Sequence, residues 1–220
     1  RATWLSPIVV VPKKNGKLRV CVDYRKLNEA TINDAFPLPF TDGVLDTVAG
    51  HEMYTFLDGF SGYNQIRMAE EDQEKTAFVT EWGVFVAVVM MFRLKTAPAT
   101  FQRIIMEIFA EYILGFMQVF LDDFAVFWSR SQHLQHLQRC LQCCREAWPS
   151  LNPTKCTFAV LSGMQLSHIV SMEGITMDPG KVQAILGASA PTNAKALIRF
   201  LGPIQWHGSM LLADFATPLH

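Results

Sequence analysis

Two carboxylates stand side by side, Asp122-Asp123, between the apolar runs Phe116 to Phe120 and Phe124 to Trp128. Runs of this length joined by so short a polar segment predict a tight hairpin with the acids at its tip. Adjacent anions held against apolar walls are costly to desolvate and repel one another. Protonation, a basic partner or divalent cations would relieve them, and the nearest cationic residue in sequence is Arg130. An ordinary exposed turn is the other reading, because Asp is a common turn residue.

A third acid, Asp58, ends the run Tyr54 to Asp58, 64 residues before Asp122, and Gly59 follows it. Carboxylates at the ends of neighbouring strands can converge on one point. Oxygen ligands with open positions suit Mg²⁺, which keeps waters and takes substrate phosphates. Two such ions about 4 Å apart stabilise both the attacking and the leaving oxygen of an in-line phosphoryl transfer.

The chain has 220 residues, 50% hydrophobic and 18% charged, which is too apolar for disorder and enough for one good-sized domain or two small ones. A formal net charge of −1 excludes a uniformly basic nucleic-acid binder. The total hides an asymmetry: residues 1–30 carry seven basic against two acidic side chains, and residues 41–80 carry two against eight. The basic start can grip phosphates, or it can be a solvated hairpin surface. Five cysteines, three of them bunched at Cys140, Cys143 and Cys144, do not read as a disulfide framework. They point to a reducing compartment. The longest apolar run, Val84 to Phe92, is far short of the ~18 residues a membrane span needs, so no membrane partner is expected. With no initiator Met, the chain reads as a piece of a longer polypeptide.

Pro7 to Val11 and Leu18 to Val22 flank Lys13-Lys14-Asn15-Gly16-Lys17. Asn-Gly between apolar runs predicts a hairpin, here tipped with lysines. Phe36-Pro37-Leu38-Pro39 reads as an extended linker. A short helix is expected over 42–48, and strands over 54–58, 78–79 and 85–91. A helix is predicted over 97–112, with Pro98 near its start. A second, over 132–148, places Leu134, Leu137, Leu141, Cys144 and Trp148 at 3–4 spacing. A strand over 166–171 and short helices over 179–187 and 193–201 complete the reading. Strands and helices mix without steady alternation, which is an α+β pattern. His133, His136, Cys140 and Cys143 share one helical face, but four ligands strung over about 15 Å of helix cannot close a tetrahedron, so they read as packing.

Six separated segments resemble, in order, the reverse transcriptase of gypsy-type long-terminal-repeat retrotransposons. Ser6-Pro7-Ile8-Val9 through Gly16, with Val22-Asp23-Tyr24-Arg25-Lys26-Leu27-Asn28, is similar to the fingers motif. Leu57-Asp58-Gly59-Phe60-Ser61-Gly62-Tyr63-Asn64-Gln65-Ile66 resembles the first catalytic motif, and Phe92 to Gln102 the substrate-pocket motif. Phe120-Leu121-Asp122-Asp123 resembles the Tyr-X-Asp-Asp hairpin, with Phe in the Tyr place. Leu151 to Cys156 and Leu166 to Ser171 resemble the two motifs that follow.

The resemblance implies a right-hand polymerase core with an antiparallel palm sheet backed by helices. Fingers would span 1–34 and 67–96, the palm 35–66 and 97–175, and a partial thumb or connection 176–220. It implies RNA-directed DNA polymerase activity, the transfer of dNTPs to a primer 3′-OH on an RNA or DNA template. Asp58, Asp122 and Asp123 would be the catalytic, metal-holding aspartates for two Mg²⁺ ions, with Mn²⁺ as a substitute. Lys13 or Lys14 with Arg19 would hold the incoming phosphates from a closing turn, and Gly59 and Phe60 would offer backbone groups beside them. Tyr63 would be the steric gate against ribonucleotides, the alternative being a core aromatic. Phe92 and Gln102 would fall in the nucleotide pocket wall. Lys155 would protonate the leaving pyrophosphate, or else be a surface lysine. Leu166, Ser167 and His168 would form the primer grip. The RNase H and integrase regions of a parent polyprotein would be missing partners.

Three residues depart from the pattern: Arg93 and Ser167 stand where the family has Gly, and Met91 where it has Pro. A long cation at 93 predicts impaired polymerisation, so a catalytically impaired remnant with residual nucleic-acid binding is the main alternative. A two-metal nuclease or cyclase is a third reading, which predicts turnover without primer and template.

Overall fold

The computed structural model describes residues 4–12, 16, 18–113, 115–147, 149–187 and 191–198. In chain order these form β1 (Ser6–Pro12), β2 (Leu18–Val22), α1 (Arg25–Ala30), α2 (Thr41–Val48), β3 (Met53–Asp58), α3 (Glu70–Gln73), β4 (Phe78–Thr80) and β5 (Gly83–Phe85). There follow α4 (Ala97–Ile108), β6 (Met117–Phe120), β7 (Asp123–Trp128), α5 (His133–Ala147), β8 (Thr157–Val160), β9 (Ser162–Gln165), β10 (His168–Ser171), β11 (Gly174–Met177) and α6 (Pro179–Leu186). The architecture is α+β.

The central sheet runs β6-β7-β3-β8, antiparallel throughout. Successive side chains on a strand point to opposite faces, so one strand can feed two cores. On β7, Phe124 and Val126 join Phe101, Ile105, Phe109, Met117 and Cys140 beneath α4 and α5. Ala125 and Phe127 point the other way, into Val44, Leu45, Val48, Tyr54, Phe56 and Val170 beside α2. Each fully buried Phe or Val contributes about 1.5–3 kcal/mol, so β3 and β7, covered on both faces, are the rigid centre of the molecule.

Helix α4 buries Ala97, Phe101, Gln102 and Ile105, and Pro98 falls in its first turn. It stops at Ile108, short of the 112 expected, because the backbone switches to shorter bonds such as Ala110 N to Glu107 O and Tyr112 N to Phe109 O. Helix α5 covers the expected span, but its buried stripe is His133, Leu137, Cys140 and Cys144. Leu134 and Leu141 stay exposed at 75% and 38%. His133 takes the inward place because its Nε2 shares a 2.8 Å hydrogen bond with Thr55 Oγ1 of β3. The metal-like face disperses as expected: Cys140 donates to Met117 Sδ, Cys143 to Ile108 O, and His136 stacks on Phe116.

A second sheet runs β2-β1-β4-β5, with β1 and β4 parallel. The β1–β2 hairpin forms as the Asn-Gly signal predicts, with Gly16 at φ +77°. Lys13 and Lys14 lie outside the described residues; Arg19 sits on β2 opposite Val11. The strand expected over 85–91 is not formed beyond Phe85. Val86 and Val88 are 40% and 52% exposed, and the segment makes one isolated bridge, Arg67 with Val89, through Met68 N to Val88 O and Met90 N to Ile66 O, while Ala87 N donates to Thr76 Oγ1.

The third sheet, β11-β10-β9, corrects the strand expected over 166–171. Leu166 and Ser167 are the turn between β9 and β10, at φ 48° and 71°, and the strand begins at His168. Of the expected helix over 193–201, residues 194–198 are helical and 199–201 lie outside the described residues.

Candidate active site

Asp58 ends β3 and Asp123 begins β7, and the two are direct cross-strand partners. Register therefore brings together residues distant in sequence. Asp122 occupies the turn with Leu121, whose φ is 51°. Buried Gln102 of α4 holds that turn from behind: its Nε2 donates to Val119 O at 3.0 Å, and its Oε1 accepts from Leu121 N at 2.7 Å. Gly59 N donates to Asp122 O at 2.9 Å, which ties the tip to the end of β3.

The carboxylates are electrostatically crowded. Asp122 Oδ1 is buried with no hydrogen-bond partner among the described residues. Burial first, then Asp58 and Asp123, push the Asp122 carboxyl up to about 6, with Lys155 opposing. Asp123 is raised for the same reasons, desolvation first and then Asp58. Lys155 Nζ donates to Asp58 Oδ1 at 3.1 Å and Oδ2 at 3.0 Å. Gly62 lies so close to the cluster that a Cβ there would stand 2.0 Å from Asp122 Oδ1 and 2.8 Å from the Phe101 ring.

A second layer of backbone bonds sets Lys155 in place. Asn152 N donates to Asp58 O at 2.8 Å, and Phe60 N to Ser150 O at 2.8 Å. Gln65 clamps the same junction: its Nε2 donates to Phe60 O at 2.6 Å and Ser150 O at 3.1 Å, and its Oε1 accepts from Ser150 N at 2.6 Å. The turn from Asn152 then points Lys155 back at Asp58, and Cys156 Sγ accepts from Asp58 N at 3.4 Å. Sequence reasoning missed Gln65 and Asn28, since isolated polar side chains leave no periodic signal.

Tyr63 packs edge-on against Phe92 (centroids 5.2 Å apart) and Phe101 (5.5 Å), half-buried beside the acids. Burial, then Asp122, raise its phenol above the ordinary value. Phe92 is 46% exposed. Gln102 does not face an open pocket, since its amide is spent on the hairpin. The amides of Gly59 and Phe60 are likewise engaged within the fold. Ser61, at φ 50°, leads into a 3₁₀ turn (Gly62–Gln65) beside the acids. Arg93 has φ 73°, and Asn28 clamps the backbone that follows it, with Nδ2 donating to Arg93 O at 2.7 Å and Oδ1 accepting from Lys95 N at 2.8 Å.

A cleft of about 230 Å³ opens beside the acids, lined by Asp58, Asp123, Lys155, Gly163, Met164 and Gln165. The next residues along, Leu166, Ser167 and His168, turn back into β10 beside it. Larger cavities, such as one of 630 Å³ near Leu27, Met68 and Leu94, lie away from the carboxylates. Among the described residues no three carboxylate, imidazole or thiol groups already form a metal cage. The orphaned Asp122 oxygen and the mutual repulsion of the acids nonetheless fit a divalent cation better than any uncharged ligand.

Residues 11–204 match the family model described as reverse transcriptase (RNA-dependent DNA polymerase). The chain is 38% identical to the retrovirus-related Pol polyprotein from transposon 297 of Drosophila melanogaster, over 97% of this chain and 21% of that one. It is 34% identical to the corresponding polyprotein from transposon gypsy of the same organism, over 99% and 22%. The chain thus spans about a fifth of the length of these curated relatives. Among solved structures, the foamy viral protease-reverse transcriptase in complex with double-stranded DNA superposes with a TM-score of 0.87 at 21% identity, over 94% of this chain and 36% of that one. The same viral protein in complex with RNA/DNA hybrid gives 0.84 at 20%, over 94% and 28%. The fold is shared with these enzymes, and with that family match and the retrotransposon relatives in hand, the chain belongs to the reverse transcriptase family.

Proposed function

We propose that this chain is a polymerase core that adds deoxynucleotides to the 3′-OH of a primer on an RNA or DNA template and releases pyrophosphate. The observation that carries this reading is the pairing of Asp58 with Asp123 across β3 and β7, with the unpartnered Asp122 oxygen beside them. Asp58, Asp122 and Asp123 would hold two Mg²⁺ ions, or Mn²⁺ in their place. When bound, these supply Lewis-acid activation of the hydroxyl and neutralise charge on the phosphates.

The chain's own residues do the rest. The turn that begins at Ser61 and Gly62 would offer backbone N–H groups to phosphate oxygens, the role expected of Gly59 and Phe60. Tyr63, fixed between Phe92 and Phe101, presents a rigid ring to the sugar and rejects an added hydroxyl by clash. Lys155 would carry the proton to the leaving pyrophosphate. Lys13, Lys14 and Arg19 would close on the phosphates from the β1–β2 hairpin. Leu166, Ser167 and His168 would bear on the primer backbone. In this reading residues 1–34 and 67–96 act as fingers, 35–66 and 97–175 as palm, and 176–220 as the start of a thumb. The nucleic-acid complexes of the foamy viral relatives support a primer–template as partner.

One residue favours a second reading, an impaired remnant. Arg93 places a long cation on a left-handed backbone that glycine adopts freely. Primer extension with Mg²⁺ or Mn²⁺, run beside an Asp122→Asn control, decides between them. Extension that the control abolishes supports the first reading, and template-dependent binding without extension supports the second. Turnover without primer or template would contradict both.

A further inference from the structure

We propose that Lys155 is the resting counter-ion of the acid cluster, occupying on Asp58 the place that a divalent cation takes, so that cation entry and release of the ammonium are one event. The inference rests on the reading that Asp58 and Asp122 are cation ligands. It concerns what the cluster does before any nucleotide arrives.

Lys155 Nζ donates to both oxygens of Asp58, at 3.1 and 3.0 Å, and so sits in the chelating position between them. A cation chelated by both oxygens would take that same position, so the two compete for it. Three acids crowd together here, and Lys155 is the cation that opposes the upward shift of both Asp122 and Asp123. The Lys155 side chain is 63% exposed, against 20% for Asp58. The ammonium can leave into solvent without disturbing the core, whereas the carboxylate is fixed by β3. The displaced ammonium then stands at the mouth of the cleft that Asp58 and Asp123 line, free to meet a phosphate.

The test is a Mn²⁺ titration of this chain without nucleotide or nucleic acid, read by electron paramagnetic resonance of the free ion. Lys155→Met should bind Mn²⁺ about threefold to fivefold more tightly than the parent, the range expected for losing one partly exposed competing ion pair. Lys155→Arg keeps a cation that spans both oxygens and should bind no more tightly than the parent. Lys75→Met, which breaks the distant pair with Asp72, controls for the loss of a charge and should leave the affinity unchanged. Should the Met variant not fold, Lys155→Gln serves in its place.

Equal affinities for the parent and the uncharged variants would overturn the proposal while leaving the cation site standing. So would a gain as large in Lys155→Arg or Lys75→Met. Asp122→Asn, titrated alongside, should lose the site, and unchanged Mn²⁺ binding there would overturn the underlying reading instead.

Discussion

Single residues set the conditions at this site, and Arg93 is the clearest case. A non-glycine residue in the left-handed region costs roughly 1–2 kcal/mol, and Arg93 is held there by Asn28, which bonds its carbonyl and the amide of Lys95. Arg93→Gly should therefore stabilise the fold by about 1 kcal/mol and raise Tm by about 2–4 °C. Its effect on primer extension is a separate readout, and an unchanged melting curve would show that the backbone strain has been overestimated. Asp122 makes a second residue-scale prediction. Its carboxyl titrates near 6 in the fold against an ordinary 3.8, so the folded state binds that proton more tightly than the unfolded chain. The contribution of this group to stability without metal therefore rises as pH falls from about 6 toward 4, and is at its least favourable above 6. Cation binding needs the ionised form, so Mn²⁺ affinity should fall about tenfold per unit below pH 6. A titration giving the same affinity at pH 5 and pH 7 would contradict this.

Among the elements, the β6–β7 hairpin depends on one amide from another element. Gln102→Leu keeps the volume but leaves Val119 O and Leu121 N unpartnered in a buried setting. Each unmet backbone group costs about 1–3 kcal/mol, so a loss of about 2–4 kcal/mol is expected in chemical denaturation. Activity should fall further than stability, since the turn carrying Asp122 is no longer fixed. Much of this was legible beforehand. The Asn-Gly hairpin, the apolar runs of β3, β6 and β7, and the helical spacing of α4 and α5 all follow from periodicity and turn chemistry. The β8–β9–β10 region was not, and the reason is physical. Its bends fall at Ala159, Leu166 and Ser167, all at positive φ without glycine. No turn residue announces them, and the bulge at Ala159 is held by a side chain far away in sequence, with its N–H donating to Thr55 Oγ1. The convergence of the acids could be suspected from strand ends, but the pairing of Asp58 with Asp123 is a fact of register that spacing alone does not specify.

At the scale of the whole molecule, near-neutral net charge conceals an uneven distribution along the chain. The surplus of basic side chains over residues 1–30 faces a deficit over 41–80. If the basic hairpin meets nucleic acid or nucleotide phosphates, Lys13→Ala combined with Lys14→Ala should weaken primer–template binding at low salt. The slope of log K against log salt should become shallower by about 2, and an identical slope would place these lysines outside the interface.

The pairing of β3 with β7 also orders events while the chain is still being made. Asp58 leaves the ribosome alone, its strand lacking the neighbour that completes the cluster. Asp122 and Asp123 arrive only after the long helix α4 has been synthesised, and Lys155 later still, beyond α5. During synthesis the three acids therefore come together before the ammonium that faces Asp58 in the finished fold has been made.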